Sequence, residues 1–184
     1  MTRIIAGYAG SLAIAVPPKG TRPTSDRVRE AIFSALEARD ALEGATVFDL
    51  YAGSGALGLE AASRGAVSVT LVEKNPAASA ICRRNADLIH SKAPKGTRIT
   101  VAPVSVQSFL AGAVGTVDLV FIDPPYELGE DALAADLAAL PLAPGAIVLV
   151  ERSSRSPEPR WPEGLELDRS RKHGDTTLWW ASAA

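Results

Sequence analysis

The chain predicts an α/β protein: a doubly wound, mostly parallel sheet with a C-terminal antiparallel hairpin and an N-terminal β-hairpin extension. Three observations carry this. Short, β-branched and mostly apolar runs alternate with Ala- and Leu-rich stretches of helical spacing, the pattern of strands covered on both faces by helices. After the last such run, "LELDRSRKHG" and "TTLWWA" follow each other through Gly174-Asp175 with no room for a helix, so the sheet ends antiparallel. Ahead of everything, "TRIIAGYAGSLAIAV" reads as two short strands around a turn at Gly7–Gly10.

The elements follow in order. Residues 1–20 form the extension and residues 21–184 the main domain. A helix spans about 25–40, with Val28, Ala31, Ile32, Ala35 and Leu36 on one face. The first strand of the main sheet is "ATVFDL" (45–50), followed by a glycine-rich turn and the helical "GALGLEAASRG". "VSVTLVE" (67–73) leads to Asn75-Pro76, a helix start with proline at the first helical position, and to "NPAASAICRRNADLIHS". "RITVAPV" (98–104) precedes the helical "SVQSFLAG", "VDLVFID" (117–123) precedes "LGEDALAADLAAL", and "AIVLVE" (146–151) leads into the closing hairpin.

At 184 residues the chain suits one domain with a real core. Hydrophobic residues at 47% and charged residues at 22%, with no low-complexity tract, indicate an ordered soluble protein. No apolar run approaches the roughly 20 residues that cross a bilayer, and the N-terminus lacks the layout of a signal peptide. A cytoplasmic protein is expected. The single cysteine, Cys82, excludes an internal disulfide and a cysteine-based zinc cluster; with only His90 and His173 besides, no dedicated metal site is expected. Cys82, His90 and the Trp179-Trp180 pair read as packing or surface residues.

Net charge is −2, but its distribution is uneven. Residues 1–29 hold Arg3, Lys19, Arg22, Arg27 and Arg29 against Asp26 alone, and residues 152–173 hold six Lys or Arg against four acids. Both ends are therefore basic and the middle acidic, which suits a polyanionic partner once another feature names one. The acidic middle and the lack of an obvious apolar patch point to a monomer.

Gly53-Ser54-Gly55-Ala56-Leu57-Gly58 matches G-x-G-x-x-G between a strand and a helix. Such glycines permit a tight turn and close approach of a ligand to helix N–H groups. Nicotinamide, flavin and S-adenosylmethionine sites all use the pattern. Asp49, four residues before Gly53, separates them: a carboxylate there repels a pyrophosphate but suits the methionyl ammonium of S-adenosylmethionine. Glu73 ends the second strand, where an acid accepts hydrogen bonds from ribose hydroxyls.

Asp123-Pro124-Pro125-Tyr126 ends the fourth strand, at the sheet edge where ligands bind. The exocyclic amine of a base is conjugated into its ring and is a poor nucleophile. Acceptors on its N–H groups draw it toward tetrahedral geometry, and the Asp123 carboxylate and Pro124 carbonyl can supply them. Two prolines restrict the backbone and remove competing donors, the carboxylate stabilises positive charge developing on nitrogen, and Tyr126 can stack on the base. A paired base must first be flipped out. The chemistry fits either a guanine or an adenine amine.

With these residues assembled, the sequence resembles the bacterial 16S rRNA (guanine(966)-N2)-methyltransferases, over nearly the whole chain. "RIIAGYAG", "RPTSDRVREAIFSAL" (22–36), "DLYAGSGALGLEAASRGA" (49–66), "VEKN" (72–75) and "FIDPPY" (121–126) look like family blocks, the first two more specific than the glycine loop. The resemblance implies a class I, Rossmann-like, S-adenosylmethionine-dependent methyltransferase acting on a guanine N2 of 16S rRNA in the small ribosomal subunit. It puts Asp49, Tyr51, Ala52, Gly53, Gly55, Glu73 and Lys74 around the cofactor, with Thr24 at its methionine end and Ser105 and Val106 at its adenine. It puts Asp123 to Tyr126 at the target amine, and Arg3, Lys19, Arg22, Arg27 and Arg29 on RNA. Relatives usually carry Asp or Asn where this chain has Ser105, so adenine recognition here is expected to rest on backbone groups. Two other readings stand beside it: an adenine-N6 DNA methyltransferase, disfavoured by the absence of a separate sequence-reading domain, and a non-catalytic ribosome-assembly factor.

Overall fold

In the computed structural model, which describes residues 1–18 and 24–184, the alternating runs close into a seven-stranded sheet. Among the described residues the elements are β1 (Thr2–Arg3), β2 (Ala13–Ile14), α1 (Asp26–Ala38), β3 (Thr46–Leu50), α2 (Ala56–Ser63), β4 (Ser68–Val72), α3 (Pro76–His90) and β5 (Arg98–Ala102). They continue with α4 (Val106–Ala111), β6 (Val117–Ile122), α5 (Glu130–Ala138), β7 (Leu142–Ser153), β8 (Leu165–His173) and β9 (Thr176–Ala183). The strand order is β5-β4-β3-β6-β7-β9-β8. It is parallel from β5 through β7, and β9 runs antiparallel between β7 and β8. The chain winds outward from β3 through β4 to β5, then crosses back to β6, so the switch point lies between β3 and β6.

Strand alternation sends successive residues to two separate cores. Val47, Leu71, Leu119, Phe121, Leu149 and Trp180 pack with α1, α2 and α3. Phe48, Leu50, Val72, Val120, Ile122 and Val150 pack with α4 and α5. Covered on both faces, these strands must read as continuous apolar runs. Helix starts are local. Ser25 accepts from the N–H of Val28 at 3.3 Å, and Asn75 from that of Ala78 at 3.0 Å.

The N-terminal hairpin has two-residue strands, too short to be held by their ladder. It is held by the body. Ile4, Ala9 and Ile14 are buried in the α1–α3 core. Fully buried Glu60 accepts from the N–H groups of Ile5 at 2.8 Å and Ala6 at 3.0 Å, and its carboxylate also meets Arg64 at 2.8 Å and Arg29 at 3.6 Å. Gly7, at φ +82°, lies so close to α2 that a Cβ would sit 1.8 Å from the Ser63 carbonyl oxygen. Gly7→Ala is therefore expected to cost about 3 kcal/mol, from the left-handed backbone and the overpacking together, read as a lower urea midpoint at unchanged slope.

Arg29, expected on RNA, is a correction. Only 1% of it is exposed, and its guanidinium donates to the Arg3 carbonyl at 2.7 Å, Asp26 at 2.8 Å and Thr2 at 3.0 Å. Helical geometry explains it, because Arg29 stands three, four and seven residues before Ile32, Phe33 and Leu36, on the buried stripe of α1. Arg27 and Arg3 are exposed. Lys19 and Arg22 lie outside the described residues.

Candidate active site

Register places the site. Val72, Leu50, Ile122 and Val150 are paired side by side across β4, β3, β6 and β7. The next residue of each strand is Glu73, Tyr51, Asp123 and Glu151, so one step past the ladder brings three carboxylates and a phenol into a single row. A cleft of about 910 Å³ opens over this row, large enough for a cofactor and part of a substrate.

The glycine loop is shaped from below. Tyr51, Gly53 and Gly55 all have positive φ, at +62°, +59° and +84°. Tyr51 is not a glycine, and its conformation is held by its side chain: the hydroxyl donates to Asp136 at 2.5 Å and accepts from Gln107 at 3.2 Å. Gln107 also donates to Asp136 at 2.8 Å. Burial and the Asp136 carboxylate push the Tyr51 hydroxyl further from ionisation. Gly58 packs closely, since a Cβ there would sit 2.3 Å from Leu71 Cδ2 and 3.0 Å from Asp49 Cβ and would have to displace the buried Leu71 side chain. Its N–H donates to Asp49 Oδ2 at 2.8 Å, while the Gly53 and Asn75 N–H groups donate to the two oxygens of Glu73, each at 2.9 Å.

Past β6, Asp123 is half-buried, Pro124 buried and Tyr126 73% exposed. Leu128 N–H closes a turn onto the Pro125 carbonyl at 3.0 Å. Buried Arg152 holds the far end of that turn, donating to the Leu128 carbonyl at 2.9 Å and to Glu130 at 2.7 Å. The proline corner is thus fixed from both sides, and the tyrosine ring stands at the mouth of the cleft.

Electrostatically the floor is negative. Burial, with help from Glu73, raises the Asp49 carboxyl to about 7 despite the Gly58 hydrogen bond. Asp123 is raised well above the usual carboxylate range by burial, then by Glu151 and Asp49. Glu151 is raised by burial, opposed by the Thr24 hydroxyl that donates to it at 3.0 Å. Among the described residues no Lys or Arg is ion-paired with any of these four acids, and they form no metal-ligating cluster. Such a site favours an organic cation and disfavours pyrophosphate.

The expected residues divide accordingly. Thr24, Tyr51, Glu73, Lys74, Val106, Asp123, Pro124, Pro125 and Tyr126 line the cleft. Asp49, Ala52, Gly53 and Gly55 lie at or beneath the loop rather than on the cleft wall. Ser105 caps α4, accepting from the Ser108 N–H at 3.1 Å, and it is Val104 and Val106 on either side of it that line the cleft. Glu151, Arg152, Gln107 and His173 also line the cleft, and no sequence motif points to them. Glu151 is recoverable, because it ends a strand as Glu73 and Asp123 do. His173 is not, because only the return of β8 to the cleft places it there.

The family described as conserved hypothetical protein 95 matches residues 2–182. Ribosomal RNA small subunit methyltransferase D of Escherichia coli K12 is 35% identical, over 94% of this chain and 85% of its own length. The protein of the same name from Haemophilus influenzae is 31% identical, over 84% and 80%. Among solved structures, Escherichia coli YhhF superposes with a TM-score of 0.84 at 33% identity, covering 99% of this chain and 97% of that one.

Proposed function

Since the chain belongs to the conserved hypothetical protein 95 family and matches its small-subunit ribosomal RNA methyltransferases over most of its length, we propose that it methylates the exocyclic N2 amine of a guanine in 16S rRNA, using S-adenosylmethionine. The observation that carries the reading is the row of carboxylates with no paired cation among the described residues, standing beside the Asp123–Tyr126 corner. The site fits S-adenosylmethionine by the same observation: the cofactor would bring an ammonium and a sulfonium to carboxylates that have no ion-paired Lys or Arg among the described residues.

Bound there, S-adenosylmethionine supplies an electrophilic methyl group. Glu73, its oxygens oriented by Gly53 and Asn75 N–H groups, accepts from the ribose hydroxyls. Asp49 anchors the glycine loop through Gly58 and gives the floor the negative potential that favours the ammonium. Lys74 and Val106 flank the adenosine end and Thr24 the methionine end. Tyr126 stacks on the flipped guanine. Asp123 and the Pro124 carbonyl accept from the amine, directing its lone pair toward the methyl. As positive charge develops on nitrogen the carboxylate stabilises it, and a raised affinity for protons makes Asp123 a competent acceptor of the proton the product amine loses.

The partner is 16S rRNA within the assembled small subunit, met by a monomer in the cytoplasm. Labelled methyl transfer to assembled small subunits, naked rRNA and duplex DNA, followed by nucleoside analysis, tests this. N2-methylguanosine from small subunits is expected. N6-methyladenine in DNA would replace the reading, and small-subunit binding without any transfer would make the protein a non-catalytic assembly factor.

A further inference from the structure

The C-terminal hairpin supplies charge at the mouth of the cleft. β8 is the edge strand, exposed from Glu166 through Lys172. Its partners in β9 sort its faces. Arg169 lies opposite Trp180 and Arg171 opposite Leu178, and both β9 side chains belong to the core beneath α1. Arg169 and Arg171 therefore rise on the α1 side of the sheet, whereas Lys172 points to the other side. The Arg169 guanidinium lies 5.0 Å above the Trp180 ring, which orients it while leaving its N–H edge open.

α1 runs beside this strand. At its C-terminal end Arg39 meets Asp168 at 3.3 Å, and near its other end Arg27 is exposed and its charge is felt at His173. Partial burial, and then the charges of Arg171 and Arg27, hold the His173 imidazole below its usual pKa. His173, Gly174 and Thr176 line the cleft. The Arg39–Asp168 pair ties the end of α1 to β8 and His173 at the other end of β8 lines the cleft; the exposed strip between them, which carries Arg169 and Arg171 on its α1 side, we call the furrow. Its acidic neighbours are Glu30, one turn along α1, and Asp175 in the β8–β9 turn.

We propose that this furrow carries the sugar–phosphate backbone of the RNA strand next to the flipped guanine, with Arg27, Arg169 and Arg171 on its phosphates. The inference rests on the rRNA reading above and adds where the strand leaves the cleft. Arginine forks on an exposed strand suit phosphates bidentately. The acidic floor of the cleft repels phosphate, so the backbone must run along such a rim while the base alone enters.

The test compares Arg27→Ala/Arg171→Ala with Lys172→Ala, which lies on the opposite face of the same strand. For the double variant, KM for small subunits is expected to rise about tenfold with kcat kept. The slope of log KM against log salt should weaken by about 1.5, roughly 0.7–0.9 for each phosphate that is no longer neutralised. Lys172→Ala is expected to match wild type, and both variants to bind S-adenosylhomocysteine as wild type does. Unchanged KM in the double variant, or an equal rise in Lys172→Ala, overturns the furrow. A wild-type protein that methylates no rRNA overturns the reading beneath it, and the furrow with it.

Discussion

Asp123→Ala is expected to lower kcat for methyl transfer by about 10²–10³-fold, the usual cost of removing one preorganised electrostatic partner from a transition state. Affinity for S-adenosylhomocysteine is expected to be retained, because the proposed cofactor contacts lie at the β3 and β4 ends and the proposed amine contact at β6. The fold is retained as well. Asp123 has no ion pair among the described residues, and its charged form is disfavoured by burial, Glu151 and Asp49, so removing it leaves the unfolding midpoint unchanged or higher. The wild-type pH profile carries the same signature. In the proposed mechanism activity needs the carboxylate, and its raised pKa is expected to move the acid limb of kcat above the ordinary carboxylate range. Asp123→Asn, which keeps an acceptor oxygen but neither charge nor proton affinity, is expected to fall between wild type and Ala. Wild-type turnover in Asp123→Ala would remove Asp123 from the chemistry.

The stability of the cofactor-free protein is expected to fall as pH rises from about 4 to about 7. The group responsible is Asp49, buried beneath the glycine loop with its carboxyl raised to about 7. Below its unfolded value of about 3.9 the acid is protonated in both states and the contribution is fully present. Between the two values the folded state holds a proton that the unfolded state has released, so stability drops with pH. Above about 7 both states are ionised and the contribution is lost. A difference of about three pH units corresponds to about 4 kcal/mol as an upper figure. Asp123 and Glu151, raised in the same direction, add to the fall, while Asp26, lowered by its hydrogen bond to Arg29, opposes it weakly at the surface. Urea unfolding across this range checks it. Asp49→Asn, which can still accept from Gly58, is expected to show a shallower profile and higher stability at pH 8. It is also expected to bind S-adenosylmethionine less tightly, because the floor loses negative charge. A wild-type profile that is flat, or an Asn variant as steep as wild type, would contradict this placement of Asp49.

Both predictions concern residues visible in the sequence, which shows what kind of information it holds. Strand runs, the glycine loop, the helix starts at Ser25 and Asn75-Pro76, and the closing hairpin are legible because each depends on neighbours within a few residues. Asp49, Glu73 and Asp123 are legible for a related reason. In a parallel sheet every strand end reaches the same edge, so an acid at a strand end can be assigned to the site without knowing the strand order. Glu151 obeys that rule too, although no motif surrounds it.

Other residues depend on contacts distant in sequence. Arg29 reads as a surface cation, yet Glu60 and the Arg3 carbonyl draw it inside. Asp136 and Gln107 hold Tyr51 in a left-handed conformation that nothing around Tyr51 announces. His173 reaches the cleft only because β9 inserts between β7 and β8.

The sequence by itself determined the alternation of elements, the acid at each of three strand ends and the proline corner, since these follow from local periodicity and backbone restriction. Only the tertiary structure decided which cations are buried and which face the solvent, how the carboxylates gather at one edge, and where the C-terminal hairpin meets α1. Burial and charge proximity are properties of chain segments folded together from far apart, and no local pattern encodes them.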